Sequence, residues 1–275
     1  QRRISAVQSV GLNEYLAFLT SSDSEAELLA NDLLISVTAF FRDKEAYKAL
    51  EATLRQSNTA AEDEFRIWVA GCATGEEAYS LAIMMYEIWL DRDKKPTLQI
   101  FATDIDDAAL ETARRGLYPA IALKELSQEL VERYFNKRGA YYEIIKPLRD
   151  AIVFAKHNLV NDPPFLRLDV VSCRNVLIYF DTALQAKVLQ NFHFGLKKNS
   201  LLFLGRSETV AQADKLFNSH DARERIFSKT GEIQVLPLTK VVSGTIKVKN
   251  QKKSDQQDAL FNFLINNYKL TLAVC

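Results

Sequence analysis

The stretch Phe-Arg-Ile-Trp-Val-Ala-Gly-Cys-Ala-Thr-Gly-Glu-Glu, residues 65–77, indicates the fold more directly than any other part of the chain. Residues 65–70 are an apolar run of strand length, and Gly71 and Gly75 let the backbone turn tightly and approach a ligand closely. After the turn, apolar residues recur with helical periodicity at Ala78, Leu81, Ala82, Met85, Ile88 and Trp89. The pattern predicts a strand, a glycine-containing loop and a helix, which together can hold a nucleotide.

The acidic residues at the start of this helix limit which nucleotide the loop can bind. A phosphate-binding loop presents free N–H groups at a helix N-terminus, and a P-loop adds Lys followed by Ser or Thr. Here Glu76 and Glu77 stand there; they would repel a pyrophosphate but attract an ammonium or sulfonium group, and S-adenosylmethionine carries both. The spacing G-x-x-x-G also disfavours a nicotinamide dehydrogenase, which leaves an ordinary glycine turn with solvated acids as the simplest alternative.

The composition is that of a globular, enzyme-sized protein. A chain of 275 residues with 48% hydrophobic residues can bury the core of one large α/β domain and a small accessory domain. The 35 acidic and 35 basic residues cancel, so no overall field draws the protein to nucleic acid or to an anionic membrane. No apolar run approaches the ~20 residues of a membrane span, and no signal peptide opens the chain. We therefore expect a cytoplasmic protein with no nucleic-acid partner and no direct membrane insertion.

The cysteines and histidines show neither metal-ligand spacing nor a nucleophile motif. The cysteines lie far apart and are expected to be buried thiols; they are Cys72, Cys173 and Cys275. The histidines are isolated as well and are expected to be surface or packing residues; they are His157, His193 and His220. The sequence therefore predicts no metal site and gives little support to covalent hydrolase chemistry.

Residues 1–57 are expected to form a helical N-terminal domain, because their apolar residues follow helical periodicity. Candidate helix caps and core aromatic residues within it are Thr38, Asp43, Phe40 and Phe41. Arg42, beside the aromatic pair, is either a solvated charge or a functional cation, and its position alone leaves both open. The polar stretch 58–64 is typical of a linker.

After this linker, predicted strands and helices alternate. The predicted strands are 65–70, 98–103, 151–155, 168–173, 201–204 and 225–229, the last with a candidate hairpin partner at 232–236. This alternation predicts an α/β, doubly wound domain over 58–238. Residues 116–148 interrupt it with a helix and small strands, an inserted subdomain that could face a partner. Residues 239–275 are a linker or tail of unassigned role.

Polar residues follow several predicted strands at their carboxyl ends, where doubly wound sheets bind ligands. Asp104 ends the second strand and is placed to accept hydrogen bonds from ribose hydroxyls, whereas Asp106 is expected to cap the next helix. Asn158 either pairs with an adenine edge through its amide or is a turn residue. The stretch from Arg174 to Phe180 follows the fourth strand, where the reacting group should lie.

Four ordered motifs carry a resemblance to a known family. They are Thr-Ala-Phe-Phe-Arg-Asp at 38–43, Gly-Cys-Ala-Thr-Gly-Glu-Glu-Ala-Tyr-Ser at 71–80, Ala-Thr-Asp-Ile-Asp at 102–106 and Cys-Arg-Asn-Val-Leu-Ile-Tyr-Phe at 173–180. From about Arg2 to Lys229 the sequence resembles the chemotaxis receptor glutamate methyltransferases, the CheR family. It looks closest to the branch in which a CheB methylesterase and a CheR methyltransferase are fused and followed by sensor domains.

The resemblance implies a Rossmann-like S-adenosylmethionine methyltransferase domain with an N-terminal helical domain and a small inserted β subdomain. It implies that Thr38 and Arg42 reach the cofactor, that Glu77 meets its amino-acid end and that Asp104 holds the ribose. Further cofactor positions implied by the resemblance are Ser36, Asn158, Leu159, Arg174 and Asn175. Arg42 and Tyr179 match the positions that the family places beside the methyl group, so both are implied as catalytic residues.

The implied reaction transfers methyl groups to glutamate side chains of chemoreceptor-like proteins, with S-adenosylhomocysteine as the product. Expected partners are the cytoplasmic domain of a chemoreceptor or another acidic helical protein, with fused sensor domains as a further expectation. Ser36 stands where many relatives have Asn, and Arg2 and Arg3 are followed by Ser5, Ala6 and Gln8 where relatives have an Arg-rich helix. The second difference puts the acidic receptor surface in doubt as the substrate.

Two other functions remain open at this stage. Asp162-Pro-Pro-Phe165 resembles the tetrad of adenine-amino methyltransferases, but in that class the tetrad follows the fourth strand, whereas here it precedes that strand. The other alternative is a module that binds S-adenosylmethionine or S-adenosylhomocysteine for regulation, without turnover.

Overall fold

The computed structural model describes residues 2–9, 11–22, 24–25, 29, 38–56, 63–90 and 97–231. By its internal contacts the chain divides into two compact units. One comprises residues 1–35, 178–181 and 237–275, and the other comprises residues 36–177 and 182–236. Ser36, the candidate strand 232–236, Cys275 and the tail 239–275 lie outside the described residues. The domain boundaries predicted at 57/58 and 238/239 stay predictions.

The larger unit contains a seven-stranded sheet. Its strands are β1 (Glu64–Ala70), β2 (Thr97–Asp104), β6 (Ile152–Lys156), β7 (Leu168–Cys173), β8 (Leu196–Leu204), β9 (Phe217–Asp221) and β10 (Ile226–Lys229). They lie in the order β6-β2-β1-β7-β8-β10-β9. The five strands from β6 to β8 run parallel, and β10 and β9 complete the sheet antiparallel. This mostly parallel sheet confirms the predicted α/β fold class.

Helices alternate with these strands as the apolar periodicity predicts. The helices of the larger unit are Lys44–Gln56, Glu76–Trp89, Asp107–Arg115, Gln128–Tyr134, Lys146–Asp150 and Thr182–Gly195. Asp106 caps its helix by accepting hydrogen bonds from the N–H groups of Ala108 and Ala109, which confirms the predicted cap. Strand β9 was not predicted. Strand β8 begins earlier than the predicted start at residue 201, and its first part was missed because the sequence there is polar.

A separate three-stranded antiparallel sheet lies in the range predicted as an insertion. Its strands are β3 (Leu117–Pro119), β4 (Phe135–Arg138) and β5 (Tyr141–Ile144), in the order β3-β5-β4. Tyr118 and Ile144 turn inward to the main hydrophobic core, whereas Tyr141 is exposed. The alternation of inward apolar and outward residues explains why a short sheet is stable here.

The core of the larger unit lies around β1 and the helix Glu76–Trp89, both nearly completely buried. Phe40 is buried in it, with its ring edge-on to Tyr118 and Phe135, which confirms its predicted core position. Cys72 and Cys173 are free, buried thiols as predicted. His157 and His193 are buried too, and each has a ring nitrogen next to a backbone carbonyl oxygen, as expected of packing residues.

The described part of the smaller unit is helical, with helices Arg2–Ala6 and Leu12–Ser21. Glu25 is buried in this unit, where it forms an ion pair with Arg3 and accepts a hydrogen bond from the Tyr15 hydroxyl at 2.8 Å. Burial, reinforced by Glu25, raises the pKa of Tyr15 to about 12. Among the described residues of the whole chain, no helix is long and apolar enough to cross a membrane.

Candidate functional site

The parallel sheet reverses its direction of growth between β1 and β7. The chain starts in the middle at β1, adds β2 and β6 on one side, and then returns to add β7 and β8 on the other. Because all five strands are parallel, the loops that follow them leave from the same edge of the sheet. The crevice at such a reversal is where doubly wound proteins bind their ligands. The loops after β1 and β7 therefore border the candidate site.

The glycine loop after β1 uses its own N–H groups internally. Gly71 and Cys72 donate to the Thr103 carbonyl, Ala73 donates to Asp104 Oδ2 at 2.8 Å, and Gly75 donates to the Cys72 carbonyl. A phosphate cradle would instead present these groups to the ligand. The loop is thus poorly suited to a pyrophosphate, which weakens the nicotinamide alternative on structural grounds.

Gly71 and Gly75 both have positive φ angles, 80° and 95°, which confirms the predicted tight turn. The structure shows a packing reason for the missing side chains, and the close approach of a ligand stays a prediction. A Cβ on Gly71 would lie 2.3 Å from Val176 Cγ2, and one on Gly75 would lie 2.8 Å from Ala113 Cβ. These two positions are glycine because protein side chains fill the space, so the loop is packed against its neighbours.

Asp104 is held at the end of β2 by the glycine loop. Its Oδ2 accepts from Ala73 N–H at 2.8 Å and its Oδ1 accepts from Asp106 N–H at 3.0 Å. Burial raises the pKa of this carboxyl, and the two N–H bonds oppose that rise. Each carboxylate oxygen keeps a lone pair, and the half-buried side chain remains accessible. Asp104 is thus oriented to accept further hydrogen bonds, as a ribose requires.

Glu77 lies at the start of the helix Glu76–Trp89 and faces β7. Its Oε1 accepts a hydrogen bond from the Ser172 hydroxyl at 2.7 Å, and its Oε2 lies 3.8 Å from Arg174 Nη1. Burial raises the pKa of the Glu77 carboxyl, while Arg174 and Ser172 act in the opposite direction. Glu76 is buried as well, and its carboxylate accepts from the Thr74 hydroxyl at 2.6 Å. The helix therefore begins with two buried acids.

Arg174 connects Glu77 to the segment before the first strand. Its guanidinium donates to Asp43 Oδ2 at 2.7 Å and to the Arg42 carbonyl at 3.0 Å. The side chain is only 1% exposed, and it lies over the rings of Tyr47 and Phe203. Burial alone would lower the pKa of Arg174, but Glu77, Tyr47 and Asp43 outweigh it and raise the pKa.

Residues 38–43 carry Arg42 in a constrained backbone. Phe41 and Asp43, on either side of Arg42, have φ angles of 49° and 63°, and the Phe41 N–H donates to the Ser80 hydroxyl at 2.9 Å. Left-handed φ is strained for a bulky residue and persists only where surrounding contacts enforce it. The Arg42 side chain is exposed, so a fixed backbone presents a guanidinium at the surface.

Asn158 takes the role of a turn residue. Its Oδ1 accepts hydrogen bonds from the N–H groups of Val160 and Asn161 at 3.0 and 3.2 Å. The turn follows β6 directly beside Asp104, since the His157 N–H donates to the Asp104 carbonyl. Leu159 is buried within this turn. The turn interpretation is therefore confirmed. The contact of Asn158 with adenine stays a prediction, and its amide nitrogen would have to make that contact because Oδ1 is used in the turn.

Comparison with known proteins identifies the family of this site. The model of the family described as CheR methyltransferase, SAM binding domain, matches residues 36–226. The chain belongs to the CheR methyltransferase family. S-adenosylmethionine is the cofactor of this domain. The resemblance that the four sequence motifs carry is confirmed.

Several curated relatives share most of the chain. Chemotaxis protein methyltransferase 2 of Pseudomonas aeruginosa is 33% identical over 79% of this chain and 79% of its own length. The chemotaxis protein methyltransferase of Escherichia coli is 33% identical over 78% of this chain and 77% of its own length. An uncharacterized 104.1 kDa protein of Rhodobacter capsulatus is 40% identical over 82% of this chain, which spans only 24% of that relative.

Solved structures show a more distant likeness. Magnesium protoporphyrin IX methyltransferase from Synechocystis, with bound S-adenosylhomocysteine, has a TM-score of 0.35 and 15% identity, covering 59% of this chain and 54% of that one. A likeness at this level adds nothing to the family assignment.

The CheR sheet edge fits a cationic cofactor. Glu77 and Asp104 supply negative charge beside a loop whose N–H groups are already used. Asn175, with φ of 61°, follows β7 and its Oδ1 is buried without a hydrogen-bond partner among the described residues. A buried acceptor of this kind calls for a donor, and the ammonium and ribose hydroxyls of S-adenosylmethionine are donors.

The structure brings some of the predicted site residues together and leaves others apart. Glu77, Arg174 and the Arg42 backbone form one connected network, Asp104 joins the glycine loop, and Asn175 lies between β7 and β8. Thr38 is half-buried outside regular structure. Tyr179 is half-buried in the 3-10 helix Leu177–Tyr179, in a segment grouped with the smaller unit. Their roles, like that of Ser36, stay predictions.

Sequence reasoning missed three polar residues of this edge. Asp43 was predicted only as a helix cap, but its carboxylate bonds Arg174. Ser172 bonds Glu77 from the end of β7, and Glu208 bonds the loop after β7. The signal for Ser172 and Glu208 was their position at or near strand ends, which alone does not tell a functional residue from a loop residue.

Proposed function

We propose that the chain is a protein-glutamate O-methyltransferase that forms methyl esters on chemoreceptor-like proteins. The observation that supports this best is that Arg174 contacts both the Arg42 backbone and the Glu77 carboxylate. Arg174 bonds the Arg42 carbonyl and lies beside Glu77, so the backbone that carries the exposed Arg42 side chain is held at the cofactor edge. A guanidinium is the group that binds carboxylates with the best geometry. The names of the relatives, chemotaxis protein methyltransferases, agree with this substrate class.

In this proposal the cofactor is oriented by acids and an amide. Glu77 accepts from the ammonium of the amino-acid end, Asp104 accepts from the ribose hydroxyls, and Asn175 contacts the cofactor from the β7 side. Ser172 and Arg174 hold the Glu77 carboxylate in place, and the glycine loop holds Asp104. These contacts form before the reaction, so their main effect is to fix the reacting groups in line.

The chain needs no general base for this reaction. The carboxyl of a solvent-exposed glutamate has a pKa of about 4.3, so it is already a carboxylate at neutral pH. S-adenosylmethionine supplies the methyl group on a sulfonium, from which the neutral thioether S-adenosylhomocysteine is a good leaving group. Arg42 holds one carboxylate oxygen of the substrate while the other attacks, and the catalytic role of Tyr179 stays a prediction that the family resemblance implies. The catalytic contribution of the chain is therefore positioning and exclusion of water.

The decisive assay uses the cytoplasmic fragment of a chemoreceptor and methyl-labelled S-adenosylmethionine. We expect label in the receptor fragment that is released as methanol by mild base, and no label when its candidate glutamates are replaced by glutamine. Label in DNA but not in protein would support the adenine-amino alternative and contradict the proposal. Cofactor binding without any methyl ester on receptor fragments would instead indicate a regulatory module.

The DNA alternative already has a structural counter-argument. The ring of Phe165, the last residue of the Asp-Pro-Pro-Phe tetrad, stacks on Phe101 at 4.6 Å and packs edge-on to Trp68 at 5.1 Å. Its carbonyl approaches Gly195, just before β8 begins. Phe165 therefore packs on the rings of β1 and β2 and beside the amino-terminal end of β8, whereas Asp162, the first residue of the tetrad, accepts a hydrogen bond from the Asn158 N–H at 2.7 Å. An aromatic ring used in this way is not available to stack on a base.

Affinity for S-adenosylhomocysteine is expected to fall as the pH is lowered. Burial raises the pKa of Glu77 in the free protein, and a bound ammonium would lower it again. Affinity therefore has its full value above the raised pKa of Glu77. It decreases as the pH falls through that pKa, because the protonated Glu77 carboxyl must release its proton when the ligand binds. Calorimetry from neutral pH downward, over the range in which the ligand's amino group stays protonated, checks this. Glu77→Gln should bind more weakly with a flatter profile; a wild-type affinity that stays constant over the range contradicts the role of Glu77.

A further inference from the structure

Glu208 is a buried acid behind the candidate site that takes part in no proposed chemical step. It is only 3% exposed and lies after β8, in the sequence Gly205-Arg-Ser-Glu208. Its carboxylate accepts four backbone hydrogen bonds. Oε1 accepts from Val176 and Leu177, both at 2.8 Å, and Oε2 accepts from Asn175 at 2.9 Å and Gly205 at 2.6 Å.

These bonds join two loops that leave the same edge of the sheet. Strands β7 and β8 are paired up to Cys173 and Leu204, and the loops begin at the next residues. Three of the four donors belong to the loop after β7 and one to the loop after β8. A single carboxylate thus replaces the strand pairing where the two strands end, and it satisfies N–H groups that the loop conformation would leave buried and unpaired.

The packing around Gly205 leaves no room for a side chain at this position. A Cβ on Gly205 would lie 2.7 Å from Glu208 Oε2 and 2.9 Å from Asn175 N. Asn175 itself has a left-handed φ of 61°, which a residue other than glycine adopts at a cost. Burial raises the pKa of Glu208, and the four N–H groups oppose that rise. The glycine, the left-handed Asn175 and the buried acid are three parts of one local structure.

The loop held in this way carries the cofactor-side residues that follow β7. Arg174 precedes Asn175 and bonds Asp43, and Val176 follows it and fills the space beside Gly71 of the glycine loop. Any displacement of the Asn175 backbone would therefore move Arg174 on one side and change the packing of Val176 against the glycine loop on the other.

We propose that Glu208 is a positioning residue for the cofactor: by accepting four backbone N–H bonds it holds the loop 174–177 in the form that binds S-adenosylmethionine. It touches no reacting atom. The inference rests on the proposed placement of Asn175 at the cofactor, but not on the identity of the methyl acceptor.

The test compares two buried acids of the same sheet in the full chain. Glu208→Gln keeps the size of the side chain but turns an NH2 group toward two of the four N–H donors, so one pair of bonds is lost and two donors face a donor. The matched control is Asp169→Asn. Asp169 is also buried, at the other end of β7, where it accepts from Arg66 N–H and pairs with Lys197. Both variants are expected to melt below the wild type.

Binding of S-adenosylhomocysteine, measured by calorimetry on the folded proteins, separates positioning from general stability. We expect Glu208→Gln to raise the Kd by ~10-fold or more, a change of about 1.4 kcal/mol, and Asp169→Asn to leave it within about twofold. Should Glu208→Gln fail to fold, Gly205→Ala replaces it, since its methyl group would lie 2.7 Å from Glu208 Oε2 and 2.9 Å from Asn175 N and the bond between them cannot form as it is.

Two results would overturn the inference. One is a Kd within about twofold of wild type in the folded Glu208→Gln or Gly205→Ala variant. The other is an equal loss of affinity in Asp169→Asn, which would show that binding follows stability alone. Failure of glutamate methylation by a wild-type protein that still binds S-adenosylhomocysteine would contradict the proposed function and leave the role of Glu208 untouched.

Discussion

Replacing Arg42 with alanine is expected to reduce methyl transfer by roughly 100-fold or more while cofactor affinity stays within several-fold. The reason is that Arg42 has an exposed side chain on a segment held by backbone hydrogen bonds. Its carbonyl accepts from Arg174, and the adjacent Phe41 N–H donates to Ser80. Removing the side chain therefore removes the cation that holds the substrate carboxylate and leaves the segment in place.

The backbone around Arg42 supports a functional role for its side chain. Phe41 and Asp43 both have left-handed φ angles, which cost of the order of 1–3 kcal/mol each for such residues. Ala73 and Asn175, in the loops after β1 and β7, have positive φ angles as well. Because Gln8, Arg167, Asn199 and Arg225 elsewhere in the described chain have positive φ angles too, the support for Arg42 comes from the two strained residues that flank it.

The measurement for Arg42→Ala is initial-rate kinetics with labelled cofactor and a receptor fragment, together with calorimetry for S-adenosylhomocysteine. Arg55→Ala is the matched control, because Arg55 lies on the exposed face of the next helix and pairs with Glu51. Arg42→Lys keeps the charge but loses the planar fork, so we expect only partial recovery. Unchanged turnover in Arg42→Ala would contradict the catalytic assignment.

Replacing Arg174 with alanine is expected to lower the free energy of unfolding by about 3–5 kcal/mol, or the melting temperature by roughly 10 °C. The guanidinium is 1% exposed and lies between the carboxylates of Asp43 and Glu77. Its removal takes the nearby cation from the buried Glu77 carboxylate and leaves Asp43 with Arg206, 3.8 Å away and half exposed. It also removes the stacking on Tyr47 and Phe203.

Chemical denaturation and thermal unfolding measure the effect of Arg174→Ala. Arg115→Ala is the control, because Arg115 forms an exposed ion pair with Glu111 that should contribute at most about 1 kcal/mol. A further variant, Arg174→Met, keeps an apolar side chain at this position. Adding Glu77→Gln to Arg174→Met should recover part of the stability that Arg174→Met loses, since it removes the uncompensated charge of Glu77. If Arg174→Ala destabilises no more than Arg115→Ala, the network does not hold this edge together.

The fold could be predicted from local pattern because the central strands of its main sheet are largely buried. β1, β2 and β7 are short apolar runs, and each was predicted to within a residue or two. Strand β9 was missed because it exposes most of its side chains and forms only through pairing with β10. Its register depends on pairing with another strand, which no local pattern contains.

The candidate site was predictable in its residues but not in its contacts. Glu77 and Asp104 stand at positions where a strand or loop ends, so their chemistry can be inferred from the sequence. The bond from Asp43 to Arg174 spans 131 residues, and that from Ser172 to Glu77 spans 95. The structure shows a packing reason for glycine at position 71, contact with Val176 far along the chain, that no local pattern contains, and the close approach of a ligand there stays a prediction.

The most direct test of the site is a crystal structure of the chain with S-adenosylhomocysteine. We expect the ligand at the carboxyl edge of β1, β2 and β7, with its ammonium hydrogen-bonded to Glu77, its ribose hydroxyls on Asp104 and a polar contact to Asn175. A ligand bound at another edge of the sheet would contradict the account, and so would a ligand at this edge whose ammonium and ribose contact neither acid.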